Sequence, residues 1–237
     1  MRFRCGNPSL KRDGFSCILD SMNNRKHGKQ TTILLADVRP LEDASLFAQY
    51  LSGVNAERQR DIQQKRFPED RRLSLGGGVL LNLLLAQWEI ESEILHDPQG
   101  KPFVEHHPEI FVSLTHAYPY AAAMICDAPC GLDIESRQRD LKAISRRCFN
   151  VRERQCAGED PGRITDIWCR KECVIKFRGL QDVRRIDTFA IPADYEYLSL
   201  PLPGYSFEIL KKQGDYRFFT VRLHGQPRQE SENARVL

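Results

Sequence analysis

No apolar run in this 237-residue chain reaches the roughly 20 residues that a membrane-crossing helix needs. The longest candidate, Leu73 to Trp88, is interrupted by three glycines and an asparagine. A secretory leader is not legible either. Cys17-Ile18-Leu19 is too short for the apolar part of one, and polar residues follow it. The eight cysteines are therefore expected to be reduced thiols in a cytoplasmic protein. They also lack the closer C-x2-C pairing usual in zinc sites. Cys126 and Cys130, like Cys169 and Cys173, stand four apart, and His106-His107 lies elsewhere. A net charge of +3 is too small to argue for nucleic acid by itself. No internal repeat is visible. Gly76-Gly77-Gly78 has neither the strand nor the GK[ST] ending of a phosphate loop, which leaves close helix packing as its expected use.

What is present describes a folded body. Apolar residues make up 41% and charged residues 28%, enough for a substantial core in one large domain or two compact ones. Residues 1 to 30 are polar and basic without periodicity and read as a flexible extension, with Met22 as an alternative start. The stretch from 225 to 237 reads as a frayed tail. Between them, strands are expected at Thr31 to Val38, near Lys101 to Val104, and at Glu109 to Thr115, Ala121 to Cys126 and Gly131 to Glu135. Further strands are expected at Thr188 to Ile191, Ser206 to Lys211 and Tyr216 to Leu223, the last two joined as a hairpin at Gln213-Gly214-Asp215. Helical spacing covers Leu41 to Leu51, a segment capped by Asn55, a helix opened by Pro68, and stretches near 140–148, 151–157 and 163–177.

Two segments carry chemistry. In an extended Gly131 to Glu135, Asp133 and Glu135 share one face and Ile134 points the other way, into a core. In the helix 163–177, Glu172 stands one turn before Lys176, while Lys171 falls inside the apolar stripe of Ile164, Ile167, Trp168 and Ile175. A charge there should meet a partner. Three carboxylates and a lysine at these spacings can assemble a hard-cation site that also holds phosphate. For Glu172 and Lys176 alone the plainer reading is an exposed helical ion pair of small worth. A second concentration of charge, Arg58, Arg60, Lys65, Arg66, Arg71 and Arg72, would attract a polyanion or form a solvated helix face.

These residues carry a resemblance. Gly100-Lys101-Pro102, Phe111 to His116, Gly131 to Glu135 and Trp168 to Lys176, closed by Arg178-Gly179-Leu180, follow one another as in 4′-phosphopantetheinyl transferases of the larger, surfactin-synthetase-activating type. Glu69 to Arg72 is a fifth, weaker match, and the likeness spans roughly residues 31 to 222. It implies an α/β (α+β) fold of two similar halves in pseudo-twofold arrangement, residues 31–115 and 116–224, with the active site at their interface. It implies transfer of phosphopantetheine from coenzyme A to a serine of an acyl or peptidyl carrier protein by a monomer, with magnesium or manganese, and no nucleic-acid or membrane partner.

By position, Asp133, Glu135 and Glu172 match metal ligands, and Glu172, Lys176 and His116 catalytic positions. Thr115, His116, Lys171, Lys176, Lys101, Pro102, Arg72 and Arg60 match contacts to coenzyme A, the two arginines holding its 3′-phosphate. Thr115 stands where serine is usual and Arg178 where lysine is commoner. Glu153 matches an acidic position near the site. The rivals are a non-enzymatic module binding nucleic acid through residues 58–72 and a degenerate member that binds coenzyme A without transferring. The carrier and pathway served are not legible.

Overall fold

The computed structural model describes residues 31–179 and 183–224. The expected extension 1–30, the alternative start at Met22, Leu180 and the tail from 225 lie outside the described residues. The elements are β1 (Thr31–Asp37), a 3-10 turn (Arg39–Glu42), α1 (Ala44–Leu51), α2 (Ala56–Gln64), α3 (Pro68–Gln87), β2 (Ile94–His96) and β3 (Pro102–Val104). They continue with β4 (Phe111–Ala117), β5 (Tyr120–Cys126), β6 (Gly131–Ser136), α4 (Lys142–Cys148), α5 (Val151–Ala157) and α6 (Pro161–Arg178). A second 3-10 turn (Val183–Arg185) leads to β7 (Tyr195–Ser199), β8 (Tyr205–Lys212) and β9 (Tyr216–Val221).

Local chemistry sets the helix ends. Asn55 caps α2 by accepting from the Arg58 backbone at 2.8 Å, and Asp43 caps α1 by accepting from Leu46 at 2.8 Å. Pro68 opens α3, with Glu69 and Asp70 in its first turn. Asp160 caps α6, Pro161 occupies its first turn, and Gly179 closes it in the left-handed region at φ +65°.

The fold is mixed α/β. One sheet runs β4-β5-β1-β9, a second runs β6-β8-β7, and β2 pairs with β3. Alternation along β1 and β8 explains the layering. Leu34 and Ala36 enter the core beneath α3, while Ile33 and Leu35 meet Leu132, Ile134, Phe207 and Ile209 of the second sheet. Leu210 of β8 points outward instead, to Cys173 and Val174 of α6. The order is α3, first sheet, second sheet, α6. Where helix meets sheet, glycine lets the backbones close. A Cβ on Gly76 would stand 2.5 Å from Val38 Cγ1, and one on Gly77 2.8 Å from Leu114 Cδ1, as the close-packing expectation for the triplet requires. A Cβ on Gly131 would stand 2.1 Å from the Cys173 carbonyl, so only glycine admits α6 this near to β6.

Several expectations are corrected. Gln213 to Asp215 does not join a hairpin. β8 pairs with β6 and β7, whereas β9 runs parallel to β1, Tyr216 opposite Thr31. Thr188 to Ile191 is not a strand; the strand lies at Tyr195–Ser199. The boundary expected at 115/116 falls inside β4, and β9 from the far end of the chain completes the first sheet. Among the described residues no helix is long and apolar enough to cross a membrane.

Candidate active site

The acidic centre forms where β4, β6 and α6 meet. Period-two alternation sends Ile134, 2% exposed, into the inter-sheet core and turns Asp133 toward α6. Asp133 Oδ1 accepts from Thr115 Oγ1 at 2.8 Å and from Lys176 Nζ at 2.7 Å, and its Oδ2 accepts a weaker bond from Cys169 Sγ at 3.4 Å. Two β4 hydroxyls stitch the sheets together. Ser113 Oγ accepts from Leu132 N and Thr115 Oγ1 from Ile134 N, both at 3.2 Å. Thr115 thus supplies the hydroxyl that a serine would, and its oxygen is already committed to Asp133 and β6.

Lys176 also donates to the Leu132 carbonyl at 2.8 Å. Burial alone would lower its ammonium pKa. The charge and hydrogen bond of Asp133, with Cys173 and Glu172, outweigh that and raise it above the usual lysine value. Lys176 therefore bonds Asp133, and the plain helical ion pair with Glu172 is not what holds it. Glu172 is half-buried. Burial first, and then the negative charges of Asp133 and Glu135, push its carboxyl up, against the opposing pull of Lys176 and Arg139. Glu135 Oε1 accepts from the Trp168 indole at 3.0 Å and from Arg139 at 2.8 Å.

Among the described residues no group of three or more His, Cys, Asp or Glu side chains is poised to hold a metal ion. Asp133 is bridged to Lys176, and Glu135 to Arg139. The donor chemistry nevertheless suits a divalent cation. Glu172 is disfavoured as an anion first by burial and then by the charges of Asp133 and Glu135, and a cation beside it would relieve this.

The remaining expected residues divide. His116 sits at the exposed end of β4. Desolvation of its ring, then the charge of Lys176, holds its pKa below the ordinary histidine value, so the ring is neutral at pH 7. Lys101, beside Pro102 at the start of β3, packs against the end of α6, its Nζ 4.0 Å from where a Gly179 Cβ would stand. Arg72 lies over the ring of Tyr118, two residues beyond His116, with 5.8 Å to the ring centroid. Arg60 is exposed on α2.

Two residues, Lys171 and Glu153, differ from expectation. Lys171 does not reach the site. It is 0% exposed and donates to both oxygens of Glu153 at 3.0 and 2.8 Å and to the Ile186 carbonyl, so no face is left for a ligand. Glu153, expected as an acidic position near the site, is the buried partner of that lysine. Arg178 donates to the Ala190 carbonyl at 2.6 Å.

Sequence reasoning missed Trp168, Cys169 and Arg139 as supports of the carboxylates. Trp168 and Cys169 follow from helical phase, one turn before Glu172 and Cys173, whereas Arg139 reaches Glu135 across the turn that follows β6, a contact without a periodic signal in the sequence. The far side of Trp168 lines a cleft of about 410 Å³ with Ile144, Cys148 and Val183.

Fold and centre together define an α/β protein whose carboxylates and protonated lysine suit phosphate chemistry under a divalent cation. Two similarities make this more specific. Residues 129–229 match the family model described as the 4′-phosphopantetheinyl transferase superfamily. The 4′-phosphopantetheinyl transferase psf-1 of Bacillus pumilus is 28% identical over 159 residues, 62% of this chain and 68% of the relative. The chain is an enzyme, and both similarities identify its activity in general terms as 4′-phosphopantetheinyl transfer. Asp133, Glu135, Glu172 and Lys176 lie inside the matched region.

Proposed function

We propose that the enzyme moves 4′-phosphopantetheine from coenzyme A to a serine of an apo acyl or peptidyl carrier protein, as a member of the larger, surfactin-synthetase-activating type. The serine oxygen attacks the pyrophosphate phosphorus nearer the pantetheine, and the bond to the departing 3′,5′-ADP breaks. The observation that carries this reading is the meeting of Asp133, Glu135 and Glu172 with protonated Lys176 where α6 closes on β6. The two packed units, one sheet under α3 and one under α6, are consistent with paired halves around that centre.

Asp133, Glu135 and Glu172 would hold magnesium or manganese, which when bound offsets charge on the pyrophosphate oxygens. This chain's own groups do the rest. Lys176 and the neutral His116 ring donate to phosphate oxygens, the former exchanging its bond to Asp133 for one to the substrate. Glu172 would also help remove the serine proton, directly or through a bound water. Arg72 and Arg60 hold the 3′-phosphate by guanidinium forks, and Lys101 and Pro102 border the adenine. Thr115 orients Asp133 through its hydroxyl. Both halves of this site lie on one chain, which favours a monomer. Nothing favours the nucleic-acid alternative over this reading.

The test is the intact mass of an apo carrier after incubation with enzyme, coenzyme A and magnesium. A gain of one phosphopantetheine, lost with chelator and in Asp133→Ala, is expected. No gain on any carrier type, from an enzyme that still binds coenzyme A, would sink the transfer reading in favour of a degenerate binder.

A further inference from the structure

We propose that Tyr118 and Glu42 form a restraint that keeps Arg72 open for a phosphate, an inference that rests on the assignment of Arg72 to the 3′-phosphate of coenzyme A. Glu42 ends the first 3-10 turn, and its Oε1 serves two groups at once. It accepts from the Tyr118 hydroxyl at 3.0 Å and lies 3.7 Å from Arg72 NH2. A formed guanidinium–carboxylate hydrogen bond spans about 2.7–2.9 Å, so the contact with Arg72 is a loose ion pair. The guanidinium also meets the Tyr118 hydroxyl, an interaction that opposes the upward shift of the tyrosine pKa, but its Nε is not engaged. Arg72 is only 16% exposed, yet its Nε is buried without a hydrogen-bond partner.

Tyr118 is well placed to govern this contact. Its ring lies beneath the guanidinium at 5.8 Å, and its backbone carbonyl is anchored by the Tyr205 hydroxyl at 2.7 Å. The bond to Glu42 holds the Tyr118 hydroxyl protonated, its pKa raised, so it stays a donor. Released from that donor, the Glu42 carboxylate would swing onto Arg72 and occupy the fork as an internal anion. A phosphate would then have to displace it. Tyr118 thus acts as a positioning residue, and Glu42 as a tethered competitor.

The experiment is calorimetric binding of coenzyme A and of its analogue lacking the 3′-phosphate, which needs no transfer activity. Tyr118→Phe should weaken coenzyme A by roughly two- to fivefold, the scale of an exposed ion pair, and leave the analogue unchanged. Glu42→Gln should tighten coenzyme A by a similar factor, a gain that misfolding cannot imitate. The double variant should match Glu42→Gln. Equal weakening of both ligands in Tyr118→Phe, or a Tyr118 loss that persists beside Glu42→Gln, overturns the restraint alone. Arg72→Ala should make the two ligands bind alike. If it does not, the assignment of Arg72 falls and the restraint with it, whereas binding without transfer to any carrier strikes only the transfer reading.

Discussion

Lys171 and Glu172 are neighbours on α6 with opposite environments. Lys171 is sealed in, and each of its needs is met by Glu153 and Ile186. Glu153 is equally committed. It closes the capping box of α5 by accepting from Asn150 N at 2.9 Å, and it accepts from Thr188 N at 3.0 Å. Glu172, one residue on, is half-open, and burial first and then the charges of Asp133 and Glu135 push its carboxyl up. A saturated buried pair ties elements together and has nothing left for a ligand. A carboxylate that burial and like charges disfavour as an anion is one that a cation or a proton would relieve. One helix therefore contributes a structural anchor on one face and chemistry on the next.

The largest effect expected from breaking this contrast is on the anchor. Lys171→Met leaves Glu153 as an unpaired buried charge and should cost about 3–5 kcal/mol in urea unfolding. Replacing both partners with apolar residues should recover much of that loss. If Lys171→Met keeps full stability but loses coenzyme A binding, the lysine is a ligand contact after all. The smaller effect has the opposite sign. A carboxyl with a raised folded-state pKa costs stability when ionised. That cost is absent where both states are protonated, and it appears as pH rises through the raised value. Glu172→Gln should thus melt above wild type at neutral pH, the gap closing toward acid pH, while transfer is lost. An unchanged melting temperature at neutral pH would contradict the crowding of charge inferred here.

Much of this centre was legible in the sequence because it depends on local periodicity. The alternation in Gly131 to Glu135 placed two carboxylates against α6 and Ile134 in the core. The helical phase of 163–177 showed that Lys171 needed a partner, but not which one. Resemblance suggested coenzyme A, and the structure supplies Glu153 from α5. Partner choice at a distance was likewise hidden in β9. Its apolar pattern marked a strand, yet the turn at Gly214 could not reveal that the next strand leaves for the other sheet to pair with β1. Thr188 to Ile191 has strand-like composition, but Thr188 is drawn to Glu153 and to the Tyr197 hydroxyl instead. Gly76-Gly77-Gly78 was read for close packing, but Gly131 was not, although a Cβ there would stand only 2.1 Å from the Cys173 carbonyl beside the site.

The central claim is that Asp133, Glu135 and Glu172 together hold a divalent cation once coenzyme A is present. Paramagnetic titration of manganese into wild type, Asp133→Asn and Glu172→Gln, each saturated with coenzyme A, tests it most directly. The account predicts a single bound manganese per wild-type chain and its loss in both variants, with folding intact. Manganese binding of undiminished affinity in both variants would contradict it and move the cation away from these carboxylates.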